Sequence, residues 1–332
     1  MSTTFNNLVV GLGGVEFPVP DELKSNLKDP YTYLGQNVSL HFPTTTNDPC
    51  AGYFFDGIPQ YIDPRAPQLY SIPGYDDGVV YPSYIGAASE VKDEITLIAG
   101  DYTDVLTGQK VSAPEVKLPM KYSWTTVVAG NWNDKAGLVG DYTSYNYNFP
   151  SLADKFRHST NKRVWFGPWE SYFLLAEAAV YGWNVPGSAK DNYEKGIAAS
   201  FEYNGVSDKL LEYLQSKAYN RVGTSVAFDH TVEAKAYMIN YYDAYTKQNK
   251  TTTYEYPKNT IYKNGQYNND ALTKIITQKF IAQNPWLPLE VWSDHRRLGL
   301  PFFENQAVEA AYNPTNQVLL TPATCKECKV EF

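Results

Sequence analysis

The sequence predicts a mainly α fold: a helical scaffold of the tetratricopeptide type, with large irregular loops and a few short strands. Three observations predict it. Residues 165–203, WFGPWESYFLLAEAAVYGWNVPGSAKDNYEKGIAASFEY, read as two helices joined by a tight turn. Two further stretches, from Asp270 and from Pro288, carry helical spacing of apolar residues. Residues 1–160 are instead rich in Gly, Pro, Asn and aromatic residues and carry little helix signal.

In chain order, residues 1–60 read as turn and loop. Gly11-Leu12-Gly13-Gly14 is followed by no helical pattern, so it is a backbone turn and not a nucleotide loop. Asp21 to Leu27 predicts a short helix, and residues 41–57 an exposed loop. In Asp63-Pro64-Arg65-Ala66-Pro67 two prolines fix the backbone, and Arg65 is a candidate for a buried ion pair or carbonyl bonds that pin it. ITLIAG (95–100) and SWTTVVAG (123–130) predict short strands. Residues 155–165 predict a short strand or extended lead, with His158 a lone surface histidine.

The helix pair is the best-defined element. Trp169, Phe173, Ala176 and Val180 fall on one face of the first helix, and Pro168 sits at its first position, where a missing N–H costs nothing. Gly182 and Pro186 end it. Ser188 is the expected N-cap of the second helix, whose inner face reads Ala189, Tyr193, Gly196, Ile197, Ser200 and Phe201. Small residues at Ala176, Ala179, Ala189 and Gly196 allow close approach, the logic of a tetratricopeptide hairpin. Ser207 is expected to cap a third helix with Leu210, Leu211, Leu214 and Ala218 inward. Residues 220–269 read as an insertion with a helix within 223–245, a strand at 251–257 and a hairpin turn at Asn264-Gly265. Asp270 opens a helix through Leu272, Ile275, Ile276 and Phe280, and Pro288 another through Arg297, with Trp292 placed to stack on Arg296.

Composition narrows the chemistry. The 332 residues include 43% hydrophobic residues, enough for a full core, and carry a net charge of −8 with no basic run, which excludes nucleic acid as a partner class. Cys50, Cys325 and Cys328 form neither a disulfide framework nor a zinc set. His41, His158, His230 and His295 are scattered, no nucleophile elbow occurs, and Glu177 and Glu194 lie within the scaffold hairpin; the chain reads as non-catalytic, with no metal and no cofactor. Asp76-Asp77-Gly78 and Asp101 lack the spacing of a calcium loop.

Aromatic content is the unusual feature: 28 Tyr and 7 Trp. Phenol oxygens need water or a partner, so many tyrosines belong at half-buried seams, or on surfaces where flat rings meet sugar faces; composition allows both. The densest mixture is residues 131–150, where Trp132, Tyr142, Tyr145 and Tyr147 interleave with Asn131 and other amides and acids. These five residues are the expected ligand contacts, read from local chemistry alone. A second aromatic reservoir comprises Tyr241, Tyr242, Tyr245, Tyr254, Tyr256, Tyr262 and Tyr267.

AEAAVYGWN (176–184) followed by YEKGIAASFEYNGVS (193–207), Asp63-Pro64-Arg65, and TQKFIAQNPWLPLEVWSDHRRLGLP (277–301) together resemble the SusD/RagB family of surface glycan-binding lipoproteins, over about residues 60–305. The resemblance implies a SusD-like domain spanning 1–332: a loop- and strand-rich part at 1–160, a helical scaffold at 161–305 and an extended segment at 306–332. It implies a piece of a longer exported protein, held at the extracellular face of the outer membrane by an N-terminal lipid anchor that this chain does not carry. It also implies oligosaccharide or polysaccharide as ligand and a SusC-like TonB-dependent transporter as partner. Peptide capture by a RagB-like lid, a glycoside hydrolase and a helical adaptor are the alternatives.

Overall fold

The computed structural model describes residues 1–18, 59–71, 94–98, 102–103, 109–111, 116–119, 124, 150–243, 248–254, 256 and 267–303. Its helices are α1 (Thr3–Val9), α2 (Ala66–Leu69), α3 (Pro168–Val180), α4 (Ala189–Asn204), α5 (Leu210–Gln215), α6 (Ala271–Gln283) and α7 (Pro288–Leu298). The chain is mainly α. Its strands form two-stranded antiparallel pairs: β1 (Tyr70–Ser71) with β6 (Ser151–Leu152), β2 (Glu94–Ile98) with β5 (Val116–Pro119), β3 (Tyr102–Thr103) with β4 (Lys110–Val111), and β7 (Tyr237–Asp243) with β8 (Gln248–Tyr254).

The predicted hairpin is α3 and α4. Pro168 occupies the first turn of α3. Ser188 caps α4 in a reciprocal box: its hydroxyl accepts from Asp191 N at 3.0 Å, and the Asp191 carboxylate accepts from Ser188 N at 3.3 Å. Trp169, Phe173 and Ala176 are buried as expected, whereas Val180 is exposed. Gly196 faces Phe173 so closely that a Cβ there would lie 2.7 Å from the ring. The missing side chain is what lets the two helices approach.

α6 is the central helix. Every residue from Leu272 to Gln283 is buried, and α1, α3, α4 and α7 all pack on it. Its apolar residues were legible from their spacing. Its polar residues are buried too; Lys274, Gln278, Lys279 and Gln283 meet partners from outside the helix, while the Thr277 hydroxyl has none among the described residues. Gln278 donates to the Tyr213 hydroxyl at 2.8 Å, Lys279 pairs with Glu170 at 3.1 Å and Asp294 at 2.9 Å, and Gln283 donates to Glu170. Burying so many polar groups in one helix costs little only because partners replace the lost water.

The Asp63-Pro64-Arg65 segment sits in the same core. Arg65 has no exposed surface and pairs with Asp63 at 2.7 Å. It also donates to Ser200 Oγ of α4 at 3.1 Å, to the Tyr213 hydroxyl at 3.1 Å and to Gln278 Oε1 of α6 at 2.6 Å. The rings of Phe201 and Tyr213 flank the guanidinium at 5.1 and 5.6 Å. Burial works against its charge, but Asp63 and Tyr213 more than offset that, and its pKa rises. The buried ion pair expected of Arg65 is present.

Several expectations need correction. The first residues are not all loop: Ser2 caps α1, and Phe5, Leu8 and Val9 of that helix are fully buried, a face too short to register as a period. Gly11–Gly14 is the predicted turn, and the chain on either side of it bridges antiparallel to residues 61–62, through Val10–Ile62 and Glu16–Tyr61. Ser207 makes no cap hydrogen bond; of the residues expected inward, Leu210 and Leu214 pack partly buried on the core, Leu211 and Ala218 are exposed, and the fully buried residue of α5 is Tyr213. No helix forms within 223–243: residues 224–236 carry turns and extended chain before β7 begins, because Thr224, Ser225 and Val226 are claimed by the core. His158 has a partner, Asp154, one helical turn back at 3.0 Å. Trp292 stacks on His295 and Phe303, not on Arg296. The predicted helix at 21–27, the hairpin turn at Asn264-Gly265, all three cysteines and the Asp76/Asp101 acids lie outside the described residues, as does the predicted strand at 123–130 except Trp124.

Candidate functional site: a tyrosine-lined cleft

Four segments far apart in sequence meet around a cleft of about 510 Å³. Val10 and Gly11 come from the turn after α1, Gln60 and Tyr61 from the chain before Asp63, Tyr219 and Arg221 from the chain after α5, and Tyr237, Met238 and Tyr256 from the β7–β8 hairpin and its exit. Gly11 makes the junction. Its φ is +82°, and a Cβ on it would lie 2.7 Å from the Tyr219 carbonyl oxygen, so only glycine permits both the turn and the approach.

The rings form a chain. Tyr237 and Tyr256 lie 6.0 Å apart, Tyr256 and Tyr219 6.2 Å, and Tyr219 and His230 5.4 Å, all tilted. Tyr61, 39% exposed, lines the same cleft, its hydroxyl accepting from Gln60 Nε2 at 3.1 Å. Met238 is exposed beside Tyr237. The Tyr219 hydroxyl donates to the Val232 carbonyl at 2.8 Å; burial and the nearby Glu233 carboxylate push its pKa up, so it stays neutral.

Behind Tyr219 lies a buried polar network. Lys274 Nζ donates to Ser225 O at 2.7 Å, Ser225 Oγ at 2.8 Å and Asn269 Oδ1 at 2.6 Å. Ser225 Oγ also meets His230 Nδ1 at 2.9 Å, and Glu233 accepts the backbone N–H groups of Asn268 and Asn269. Burial, with Lys274 and Lys217 adding repulsion, holds the His230 pKa below its usual value. Burial pushes Lys274 down to about 7, against the pull of Glu233 and Asp270. The network fixes residues 219–233 on the start of α6, and so fixes the backbone of Tyr219.

This lining suits binding. Tyrosine rings offer flat apolar faces, their hydroxyls and Gln60 offer donors and acceptors, and the described lining holds no carboxylate, imidazole or thiol. Among the described residues no group of His, Cys, Asp and Glu is placed to hold a metal ion, and no helix is long and apolar enough to cross a membrane. The five ligand contacts expected from sequence, Asn131, Trp132, Tyr142, Tyr145 and Tyr147, lie outside the described residues. From the second aromatic reservoir, Tyr256 reaches the cleft. Tyr61, Tyr219 and Tyr237 carry no local signal, because the cleft exists only where four separate segments meet.

The model of the SusD-like family, described as SusD and RagB outer membrane lipoproteins, matches residues 141–320. The chain belongs to the SusD-like family. No curated protein matches it. Among solved structures, it is similar to a SusD homologue from Parabacteroides distasonis, at 24% identity over 95% of this chain and 42% of that one, with a TM-score of 0.49. A SusD-like protein from Bacteroides thetaiotaomicron is 26% identical over 54% of this chain and 32% of that one, with a TM-score of 0.34. A chitin-binding SusD homologue from Flavobacterium johnsoniae is 21% identical over 76% and 43%, also at 0.34. This SusD-like chain thus spans less than half the length of these structural relatives. The segments that carried the family resemblance touch one another in the fold: Arg65 meets Ser200 and Gln278, and Arg297 meets Glu177.

Proposed function

We propose that this chain is part of a non-catalytic outer-membrane glycan-binding protein that takes up oligosaccharide at the extracellular face and passes it to a TonB-dependent transporter. We further propose that the tyrosine cleft is one of its saccharide subsites. The observation that carries the reading is the ring chain Tyr237–Tyr256–Tyr219 sharing one cleft with Tyr61 and Gln60, in a chain of the SusD-like family. A glycosidase needs two carboxylates across its cleft, and the described lining supplies none. The segment bearing Asn131, Trp132, Tyr142, Tyr145 and Tyr147 is a second proposed contact region, on its aromatic and amide composition.

Affinity electrophoresis of the protein across plant, host and microbial polysaccharides tests this, with Tyr219→Ala and Tyr256→Ala beside Trp132→Ala and Tyr145→Ala. One glycan is expected to retard the wild type. Its loss in the first pair assigns the cleft, and its loss in the second pair assigns residues 131–147. Retardation by no glycan overturns the reading and favours peptide capture.

A further inference from the structure

A second cleft, of about 730 Å³, is lined by α3, α7 and Lys279 of α6. Its two walls differ. The α3 side carries the rings: Trp165, Phe166, Leu174, Ala178, Tyr181 and Trp183 line it, and its two carboxylates, Glu170 and Glu177, are buried and paired with Lys279 and Arg297. Trp165 is 82% exposed and Trp183 70%. The α7 wall is polar, with Glu290, Ser293, Asp294 and Arg297 at helical spacing along one side.

Arg297 is held rigidly there. Glu177 accepts from Nη1 and, at 3.0 Å, from Nη2, while Asp294 accepts from Nη2 at 2.9 Å. Donation to the Glu177 carboxylate, ahead of any other influence, raises its pKa, so the charge is permanent. These three bonds leave the Nε–H and one Nη1–H of the five guanidinium donors for a ligand, and 46% of the side chain is exposed.

We infer that this cleft is a second saccharide subsite, selective for neutral over acidic glycans. The inference rests on the glycan-binding reading above. A pyranose has the same two-sided character as the cleft: a C–H face for the indoles, and hydroxyls at its edge for Arg297, Glu290 and the Ser293 oxygen. An apolar protein surface seated here would strip water from the Arg297 donors and the Glu290 carboxylate without replacing it, which hydroxyls avoid. Selectivity follows from charge. Glu170, Glu177, Glu290 and Asp294 stand against Lys279 and Arg297, and Lys279 and Arg297 already have carboxylate partners, so a uronate would meet excess negative charge.

Calorimetric titration with neutral hexasaccharides of glucose, mannose, xylose and N-acetylglucosamine, and with hexagalacturonate, tests it. Wild type, Tyr219→Ala, Trp165→Ala and Trp183→Ala are compared, each with a thermal-unfolding control; both tryptophans are surface residues. The expected result is a neutral-sugar binding event that survives Tyr219→Ala and weakens about tenfold or more in Trp183→Ala, a change of ~1.4 kcal/mol. Hexagalacturonate is expected not to bind there. Neutral-sugar affinity unchanged in both tryptophan variants overturns the second subsite and leaves the general function standing, as does hexagalacturonate binding as tightly as the neutral sugars. Absence of binding by any sugar to wild type overturns both.

Discussion

At the scale of single residues, two buried cations govern the core in different ways. Arg65 is charged and fully surrounded, so removing it leaves Asp63 charged and buried. Arg65→Met is therefore expected to cost about 3–5 kcal/mol in chemical denaturation, the range for a broken buried pair. A loss below about 1 kcal/mol would show that the Tyr213 hydroxyl and the backbone N–H of residue 65 satisfy Asp63 unaided. Lys274 behaves oppositely, because burial lowers its pKa from 10.5 to about 7. Between those values the unfolded chain holds a proton that the folded chain does not, so this residue's contribution to stability grows as pH rises from about 7 toward 10.5 and is flat below. The stability difference between wild type and Lys274→Met should thus move toward wild type over that window, by at most about 1.4 kcal/mol per pH unit. A difference independent of pH would mean that its three acceptors keep the ammonium charged throughout.

Elements reveal what the sequence could and could not disclose. α3, α4, α6 and α7 were legible because proline, serine, aspartate and glycine punctuate them and their apolar spacing is regular. The tightness of the hairpin was legible from Gly196. Helix propensity alone would make Gly196→Ala stabilising by about 1 kcal/mol. The 2.7 Å contact with Phe173, itself fully buried, reverses the sign, and a net loss of about 1–2 kcal/mol is expected, relieved in the Phe173→Leu background. What stayed hidden was polar burial. Nothing in the spelling of TKIITQK states that Lys274, Gln278 and Lys279 each find a partner from another part of the chain. The expected helix within 223–245 failed for a related reason: Ser225 and Asn220 spend their polar groups on Asn269, Leu8 and Thr224, and local helical preference gives way to tertiary bonds. The tyrosine cleft was hidden most completely, since no one segment contains it.

In the whole molecule, the first residues are as central as any. Phe5, Leu8 and Val9 of α1 are fully buried, and Phe5 packs against Phe280 of α6 at 6.2 Å. At about 1.5–3 kcal/mol per buried side chain, deleting residues 1–9 removes an amount comparable to the whole stability of a typical domain. Loss of cooperative thermal unfolding is expected, and a truncated chain that still melts in one sharp transition would contradict the packing described.

Gly11 touches Tyr219, and Tyr61 shares the cleft with Tyr237 and Tyr256, so the cleft is also where the N-terminal turn, the Asp63 segment, the post-α5 chain and the β-hairpin are fastened together. A guest lodged among them would bind only the assembled arrangement and act as a removable staple between segments distant in sequence. Saturation at a hundred times the dissociation constant adds about 2.7 kcal/mol to the folded state. Cargo and scaffold would then be thermodynamically one object: the protein is most durable while loaded and loosens as it lets go.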